Sequence, residues 1–531
     1  MTSPLLLDCT LRDGGFVNDW NFGFGSIKSI ISRLDCAGVD IIEVGFIDER
    51  RPYDENRTIF PDTKSLLPVF RGHKKSKALI IGMIDYGTCD IEKISCQSES
   101  CLDGIRLIFK KRDQNDALHF LEQIKNKGYK IFVNPVSITE YTFEEIHTLL
   151  EKINNLKPYA VSIVDTYGLM HTRELMNYYD AFDKKLDAGI ILGYHAHNNF
   201  QMAYANSIEL MNRNSDRVTS IDGSLYGMGK SAGNACTELL AMYMNECCGR
   251  NFDIYQLQEA IDVDILKEFT KKPWGYNFEY YIAALHDCHP SYVQYLLDKK
   301  TVSVKAVNDI LKKINSTDRL SFNKQLVERL YLEYQNQFCD DTLAVKALQE
   351  ELLNKRILLI GPGKTTQDYY TVIDSFVREN NPTVVSINFL NELFPIDYVF
   401  MGNAKRYSQF FHEIYREKTI KKIICTSNIT GMGREIDYVV NYSALLEDEP
   451  AIRDNPLVMF LNLLRNIGVK EVSLAGFDGY TQDNHKNYYD DYVRLLYCQE
   501  NVVLRNEAIR KKLCELSRFM KISSLTPTRY M

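Results

Sequence analysis

The chain has 531 residues, 45% of them hydrophobic and 25% charged, with a formal net charge of −7. That length is too great for one typical hydrophobic core, so about two to four domains are expected. A small acidic excess spread over it gives no electrostatic basis for binding nucleic acid or an anionic membrane, and no apolar run approaches a membrane span.

From the N-terminus to Gly249, short runs rich in Ile and Val alternate with longer amphipathic stretches, the pattern of βα units around a parallel sheet. Strand candidates are "LLLDCT" from Leu5, "DIIEVGF" from Asp40, "ALIIGMI" from Ala78, "GIRLIF" from Gly104, "KIFVNP" from Lys130, "AVSIVDT" from Ala160, "IILGYHAH" from Ile190 and "RVTSIDGSL" from Arg217. Segments of helical period such as "FGSIKSIISRLDCAG" and "TFEEIHTLLEKINN" fill most of the gaps. Eight strands each followed by a helix-sized connection predict a (β/α)8 TIM barrel over residues 1–261, with an open doubly wound sheet as the alternative. The barrel fold places catalytic groups at the C-terminal ends of strands. Arg12, Asp13, Glu43, Asn134, Asp165, His195, His197 and Asp222 all fall at such ends.

Residues 262–353 read as a helical subdomain and a candidate contact in a homo-oligomer, although its tyrosines and leucines equally suit a monomer core. At Lys355 the βα alternation resumes with "RILLIGPGKTT", "TVVSINF", "KKIICTSN" and "EVSLAGFDG". It predicts a Rossmann-like α/β domain over residues 354–531.

Thirteen cysteines, scattered without a framework, suit free thiols in a reducing compartment, and the start "MTSPLLLDCT" has no secretory pattern. A cytoplasmic protein is expected. Cys96 with Cys101, and Cys247 with Cys248, each lack a second pair at zinc-site spacing. The basic cluster "RGHKKSK" reads as a solvated loop.

In "GYHAHNN", His195 and His197 are two apart on a strand and so point to one face. Two structural histidines would fit as well, but Asp13 at the end of the first strand converges on the same barrel mouth. Asp13, His195 and His197 would then form a partly open site for Mn²⁺, Mg²⁺ or Co²⁺, with Zn²⁺ also admissible. If the first strand ends at Thr10, Arg12 also reaches the mouth and can stabilise a developing oxyanion. Gly14 and Gly15 are expected to let that loop turn sharply.

The motifs "LDCTLRDGG", "IIEVGF", "HAHNN" and "GMGKSAGNACTE", in this order, resemble the DRE-TIM metallolyase superfamily over residues 4–290. The stretch around "HAHNN" and "SLYGMGKSAGNA" is most similar to 4-hydroxy-2-oxovalerate aldolases, and more distantly to HMG-CoA lyase and the isopropylmalate and homocitrate synthases. The resemblance implies a divalent metal held by Asp13, His195 and His197, with Asn234 as a further ligand and Arg12 on the 2-oxo oxygen of the substrate. It implies a carbon–carbon lyase acting on a 2-oxo acid and an aldehyde through a pyruvate enolate. The alternatives are an acyl-CoA-dependent Claisen condensation and a metal-binding scaffold without turnover.

The aldolases place a histidine three residues after the metal-binding aspartate, and here that position is Phe16. Asp19, Glu43, Tyr276 and His289 are the candidate substitutes for that base. Glu43 equally suits a carboxylate that orients Arg12. In the C-terminal part, "LLIGPGKTT" fails both the P-loop and the G-x-G-x-x-G patterns, leaving a glycine turn and helix start suited to an anion. Residues 355–490 resemble sialyltransferase-like and MptE-like Rossmann proteins. That resemblance implies a nucleotide or sugar nucleotide in a crevice lined by Gly361, Gly363, Asn388, Asn403 and Asp478, and, with the aldolase, a role in unusual-sugar or surface-glycan synthesis. A degenerate domain used for assembly is the alternative.

Overall fold

A computed structural model of the protein describes residues 3–71, 77–213, 215–299, 302–319, 322–336, 338–390, 393–410, 422–429, 436–483, 487–489 and 502–531. Most of the basic cluster "RGHKKSK", and the end of the helix expected from "NAKRYSQFFHEIY", lie outside the described residues. The chain forms two compact units that divide after Pro290. No helix among the described residues is long and apolar enough to cross a membrane.

The first unit is built on β1 (Leu5–Asp8), β2 (Ile41–Ile47), β3 (Ile59–Phe60), β4 (Leu79–Asp85), β5 (Gly104–Phe109), β6 (Lys130–Pro135), β7 (Ala160–Asp165), β8 (Ile191–Ala196) and β9 (Thr219–Gly223). Eight of these close in the order β1-β9-β8-β7-β6-β5-β4-β2, and parallel pairing of Leu7 with Ile41 joins β2 back to β1. The short β3 is additional to the eight predicted strands; it pairs with the end of β2, Phe46 opposite Ile59. The result is a closed parallel TIM barrel, as the eight apolar runs predict.

Amphipathic helices cover the barrel. Phe24–Ala37 buries Ile27, Ile30, Ile31, Leu34 and Ala37, the spacing of a single helical face. Phe143–Leu156 starts with a capping box between Thr142 and Glu145. Inside the barrel, Leu7, Ile41, Ile81, Phe132, Ala160 and Ile191 form an apolar plug. Toward the C-terminal strand ends the buried side chains change character, and Glu43, Arg106 and Asp222 make a charged layer.

The second unit carries β10 (Ile357–Ile360), β11 (Thr383–Ile387), β12 (Tyr398–Met401), β13 (Lys422–Thr426), β14 (Tyr438–Val440), β15 (Glu471–Ala475) and β16 (Lys521–Ser524). They form an open parallel sheet ordered β14-β13-β12-β11-β10-β15-β16, whose order reverses between β10 and β15. Alternate residues of β10 serve opposite faces: Ile357 and Leu359 enter one core, Leu358 and Ile360 the other. That alternation is why its strands read as unbroken apolar runs. The segment predicted as helical over 262–353 is helical, with Leu266–Lys271 and Phe278–Leu285 in the first unit and Val304–Leu311, Lys324–Gln335 and Thr342–Leu352 in the second.

Candidate active site

Strand β1 stops at Asp8, short of the expected Thr10. Asp8 Oδ1 accepts the Thr10 N–H at 3.0 Å, and Cys9 O accepts the Asp13 N–H at 2.8 Å. This aspartate turn starts a single helical turn, Thr10–Asp13, which carries Arg12 and Asp13 into the barrel mouth. Gly14 corrects a second expectation, since its φ of −59° is ordinary helical backbone. The two glycines are required for close packing: a Cβ on Gly14 would lie 2.3 Å from Thr10 O, and one on Gly15 would fall 1.9 Å from Trp20 Cδ1.

Asp13, His195 and His197 are buried, and one ligand atom from each lies within 4.8 Å of the others. His195 Nδ1 lies 3.1 Å from Asp222 Oδ2, an arrangement that leaves Nε2 free for a metal. Asn234 Nδ2 donates to Asp13 Oδ2 at 2.7 Å, while Asn234 Oδ1 is buried with no hydrogen-bond partner among the described residues. At Gly229 a Cβ would lie 2.4 Å from Asp13 Oδ2. An orphaned amide oxygen, a carboxylate and two imidazoles around space kept clear by a glycine fit a divalent cation.

Arg12 joins this group to the charged layer. Its Nε donates to Glu43 Oε2 at 2.7 Å and its Nη1 to Asp13 Oδ1 at 2.6 Å. Its Nη2 is buried and makes no hydrogen bond among the described residues. Burial alone would raise the Asp13 carboxyl, but Arg12 first, then His197 and His195, outweigh it and hold Asp13 below the usual carboxylate range. Burial pushes His197 down to about 4 against the pull of Asp13, so its imidazole is neutral near pH 7, the form that binds metal. Asp165 moves the other way, raised by burial to about 7 although it accepts the Leu169 and Met170 N–H groups.

The remaining candidates divide by burial. Glu43 is fully buried and bonded to Arg12, as a positioning carboxylate would be. Asn134 is buried with Oδ1 unpartnered among the described residues, and Thr166 Oγ1 accepts the Ser137 N–H at 2.8 Å. Asp19 is half-exposed and ion-paired with Arg57 and Arg51. Tyr276 is 57% exposed on the loop after Leu266–Lys271 and stands outside the buried cluster. His289 is partly shielded within electrostatic range of Lys230.

Arg106 lies in the charged layer beside the cluster and is a residue that the sequence patterns do not single out. Its Nη2 lies 2.6 Å from Asp222 Oδ2 and donates to Ser162 Oγ at 3.2 Å, while Nη1 stands 3.6 Å from Glu43 Oε1. An arginine in the middle of "GIRLIF" is the available signal, because a buried strand admits a guanidinium only where carboxylates meet it. At the rim, Phe16 packs edge-on against Trp20, with ring centroids 4.8 Å apart, and Trp20 Nε1 donates to Arg12 O at 2.8 Å.

In the second unit a cavity of about 720 Å³ opens at the C-terminal ends of the sheet, and Gly363, Asn388, Asn403 and Asp478 are in its lining with Arg406 and Arg505. Gly361 is not in that lining; a Cβ there would lie 2.6 Å from Gly476 O. The anion expected at the helix start after "LLIGPG" is supplied by the chain itself. Asp478 Oδ2 accepts the Thr365 N–H at 3.0 Å and its other oxygen accepts the Thr365 hydroxyl. A Cβ on Gly363 would meet Asp478 Oδ1 at 2.4 Å, so this glycine admits a carboxylate rather than leaving an open phosphate cradle.

The family description HMGL-like matches residues 3–263. Oxaloacetate decarboxylase of Mycobacterium tuberculosis is 23% identical over 287 residues, covering 52% of this chain and 82% of that protein. 4-Hydroxy-2-oxovalerate aldolase of Thermomicrobium roseum is 26% identical over 322 residues, covering 57% and 86%. Among solved structures, HMG-CoA lyase of Brucella melitensis has 17% identity and a TM-score of 0.39, covering 51% of this chain and 99% of that one. With the closed barrel and the Asp13–His195–His197 cluster at its mouth, residues 3–263 are an HMGL-like domain of the DRE-TIM type.

Proposed function

We propose that the barrel is a divalent-metal-dependent aldolase or lyase that makes or breaks a carbon–carbon bond through the enolate of pyruvate or a related 2-oxo acid. The observation that carries this reading is the convergence of Asp13, His195 and His197 beside a buried arginine with a free N–H. When bound, a divalent ion, Mn²⁺ before Mg²⁺, Co²⁺ or Zn²⁺, supplies Lewis-acid chemistry toward the 2-oxo acid. Asp13, His195 and His197 would hold it, with Asn234 Oδ1 as the further donor.

The protein's own part is orientation and charge. Glu43 fixes the plane of Arg12 through Nε, which leaves Nη2 to donate to the substrate oxygen on which negative charge develops. Asp222, held by Arg106, sets the orientation of His195. An aldol step also requires a group that takes the proton of the C4 hydroxyl as the C3–C4 bond breaks. Tyr276, exposed on the loop after Leu266–Lys271, is the proposed group.

Phe16 favours a second reading. Decarboxylation of a 3-carboxy-2-oxo acid breaks the same bond, releases CO₂ and leaves the same enolate, with no hydroxyl proton to remove; one relative is an oxaloacetate decarboxylase. For the second unit we propose a nucleotide or sugar-nucleotide ligand in the 720 Å³ cavity, which would connect the enzyme to unusual-sugar or surface-glycan synthesis. Its support is the cavity's place at the reversal of strand order.

The test of the enolate is exchange of pyruvate methyl protons in deuterated water with Mn²⁺. Exchange lost in Arg12→Ala and His195→Ala supports it, and no exchange with any divalent metal refutes it. Exchange only with acetyl-CoA present would point to Claisen chemistry. CO₂ release from oxaloacetate, against aldehyde release from a 4-hydroxy-2-oxo acid, separates the two readings. Calorimetric titration with uridine diphosphate sugars, repeated on Arg406→Ala, tests the second unit.

A further inference from the structure

The rim beside the cluster holds a cation, Lys230, that makes no ion pair among the described residues. Lys230 is anchored from behind, because its backbone N–H donates to Asp13 Oδ2 at 3.1 Å. Its side chain runs outward over Phe16, with Nζ 5.5 Å from the ring centroid. Phe16 is fixed in turn by edge contacts with Trp20 and Phe46, at centroid distances of 4.8 and 6.2 Å. The side chain is partly buried, yet among the described residues no carboxylate oxygen lies within 4.0 Å of its ammonium. Asp48, on the same rim, is taken by Arg50 at 2.6 Å. Asp13 and Asp85 attract the ammonium from beyond ion-pair distance, and Lys110 and Arg12 repel it.

A shielded ammonium without a partner carries a free-energy cost that an anionic ligand removes. The place of that anion follows from the geometry. Arg12 and the metal ligands occupy the buried end of the mouth, whereas the Lys230 ammonium stands over a phenylalanine that is 40% exposed. A group reaching it must extend past Phe16, away from the 2-oxo end.

We propose that Lys230 and Phe16 form a subsite for the carbonyl partner, and that this partner is an acidic aldehyde whose chain lies on Phe16 and whose anionic group pairs with Lys230. That the partner is an aldehyde rests on the enolate reading, whereas the anion site itself is tested without turnover.

Succinic semialdehyde and butyraldehyde have four carbons each and differ by one carboxylate. Their binding to the full-length, metal-free protein is followed through tryptophan fluorescence, since Trp20 touches Phe16 and the chain has only 2 tryptophans. The expected result is that the acidic aldehyde binds roughly tenfold tighter or more, that Lys230→Met abolishes the difference, and that Lys230→Arg retains it. Equal binding of the two aldehydes overturns the proposal. So does a preference that survives in Lys230→Met, because the anion would then sit on Arg12. With Mn²⁺ and pyruvate, kcat/KM for the two aldehydes should show the same preference in the wild type and lose it in Lys230→Met. Failure of pyruvate exchange in the wild type would remove the enolate reading while the binding preference still decides whether Lys230 is an anion site.

Discussion

Arg106 Nη2 lies 2.6 Å from Asp222 Oδ2 in the barrel interior, with both side chains 1% exposed. Two charges that far from water are tolerated only as a pair, and the same Asp222 oxygen lies 3.1 Å from His195 Nδ1. The pair therefore links the stability of the barrel to the aim of a metal ligand.

Removing one partner should separate those roles. Arg106→Met leaves Asp222 buried without the guanidinium that pairs with it, whereas Glu43 keeps Arg12, and should cost about 3–5 kcal/mol in urea unfolding. Asp222→Asn should weaken Mn²⁺ binding by roughly 10–100-fold in calorimetry. Unchanged affinity in that variant would show that His195 is oriented by other contacts.

Metal binding itself should depend on each imidazole. His197→Ala and Asp13→Asn should each abolish calorimetric binding of Mn²⁺ and the pyruvate exchange that depends on it. Because Asp13 is already ionised and His197 already neutral near pH 7, binding there should displace no proton from either. Titrations in buffers of different ionisation enthalpy measure that stoichiometry.

Asp165 should impose a slope on stability against pH. Its carboxyl is raised from 3.8 to about 7, so the folded state holds a proton that the unfolded chain releases. The stability it contributes is fully present below the unfolded pKa and is lost as pH rises through about 7. Every tenfold difference in proton affinity between the two states corresponds to about 1.4 kcal/mol. Asp165→Asn, compared with wild type in urea at pH 5 and pH 8, should remove this loss and gain relative stability at the higher pH.

Phe16→His places an imidazole at the position where the resemblance to the aldolases implies one. The substitution gives up edge contacts with Trp20 and Phe46, at a cost of about 1 kcal/mol or less at a half-exposed site. If the wild type cleaves 4-hydroxy-2-oxo acids slowly for want of a base, cleavage should rise while pyruvate exchange stays level. Equal rates in variant and wild type would locate the base elsewhere.

The barrel is legible in the sequence because its information is periodic: eight apolar runs, each near a polar terminus, favour a closed barrel over the open doubly wound sheet that the same alternation also allows. Asp13, His195 and His197 can be found because strand ends converge, which topology alone implies. Arg106 escapes such reading because a strand pattern records that a residue faces inward but not which carboxylates await it across the barrel. Lys230 is hidden for a related reason, since its neighbour Phe16 is 214 positions away and only closure of the barrel brings the two together. The "LLIGPGKTT" turn misleads in the opposite direction. Its Gly363 and Thr365 serve Asp478, a carboxylate over a hundred residues further on.

The first and last barrel strands meet at a seam, and the cluster straddles it: Asp13 from the start of the barrel is bonded to Asn234 from its end, and Asp8 on β1 accepts the Thr237 hydroxyl at 2.6 Å. An ion bound there would therefore act as a clasp across the seam as well as a Lewis acid. A growing chain cannot assemble the pocket until its final strand is in place, and a bound ion should strengthen the closed form in proportion to the logarithm of its free concentration. Loss of the ion would first be felt where the circle was joined.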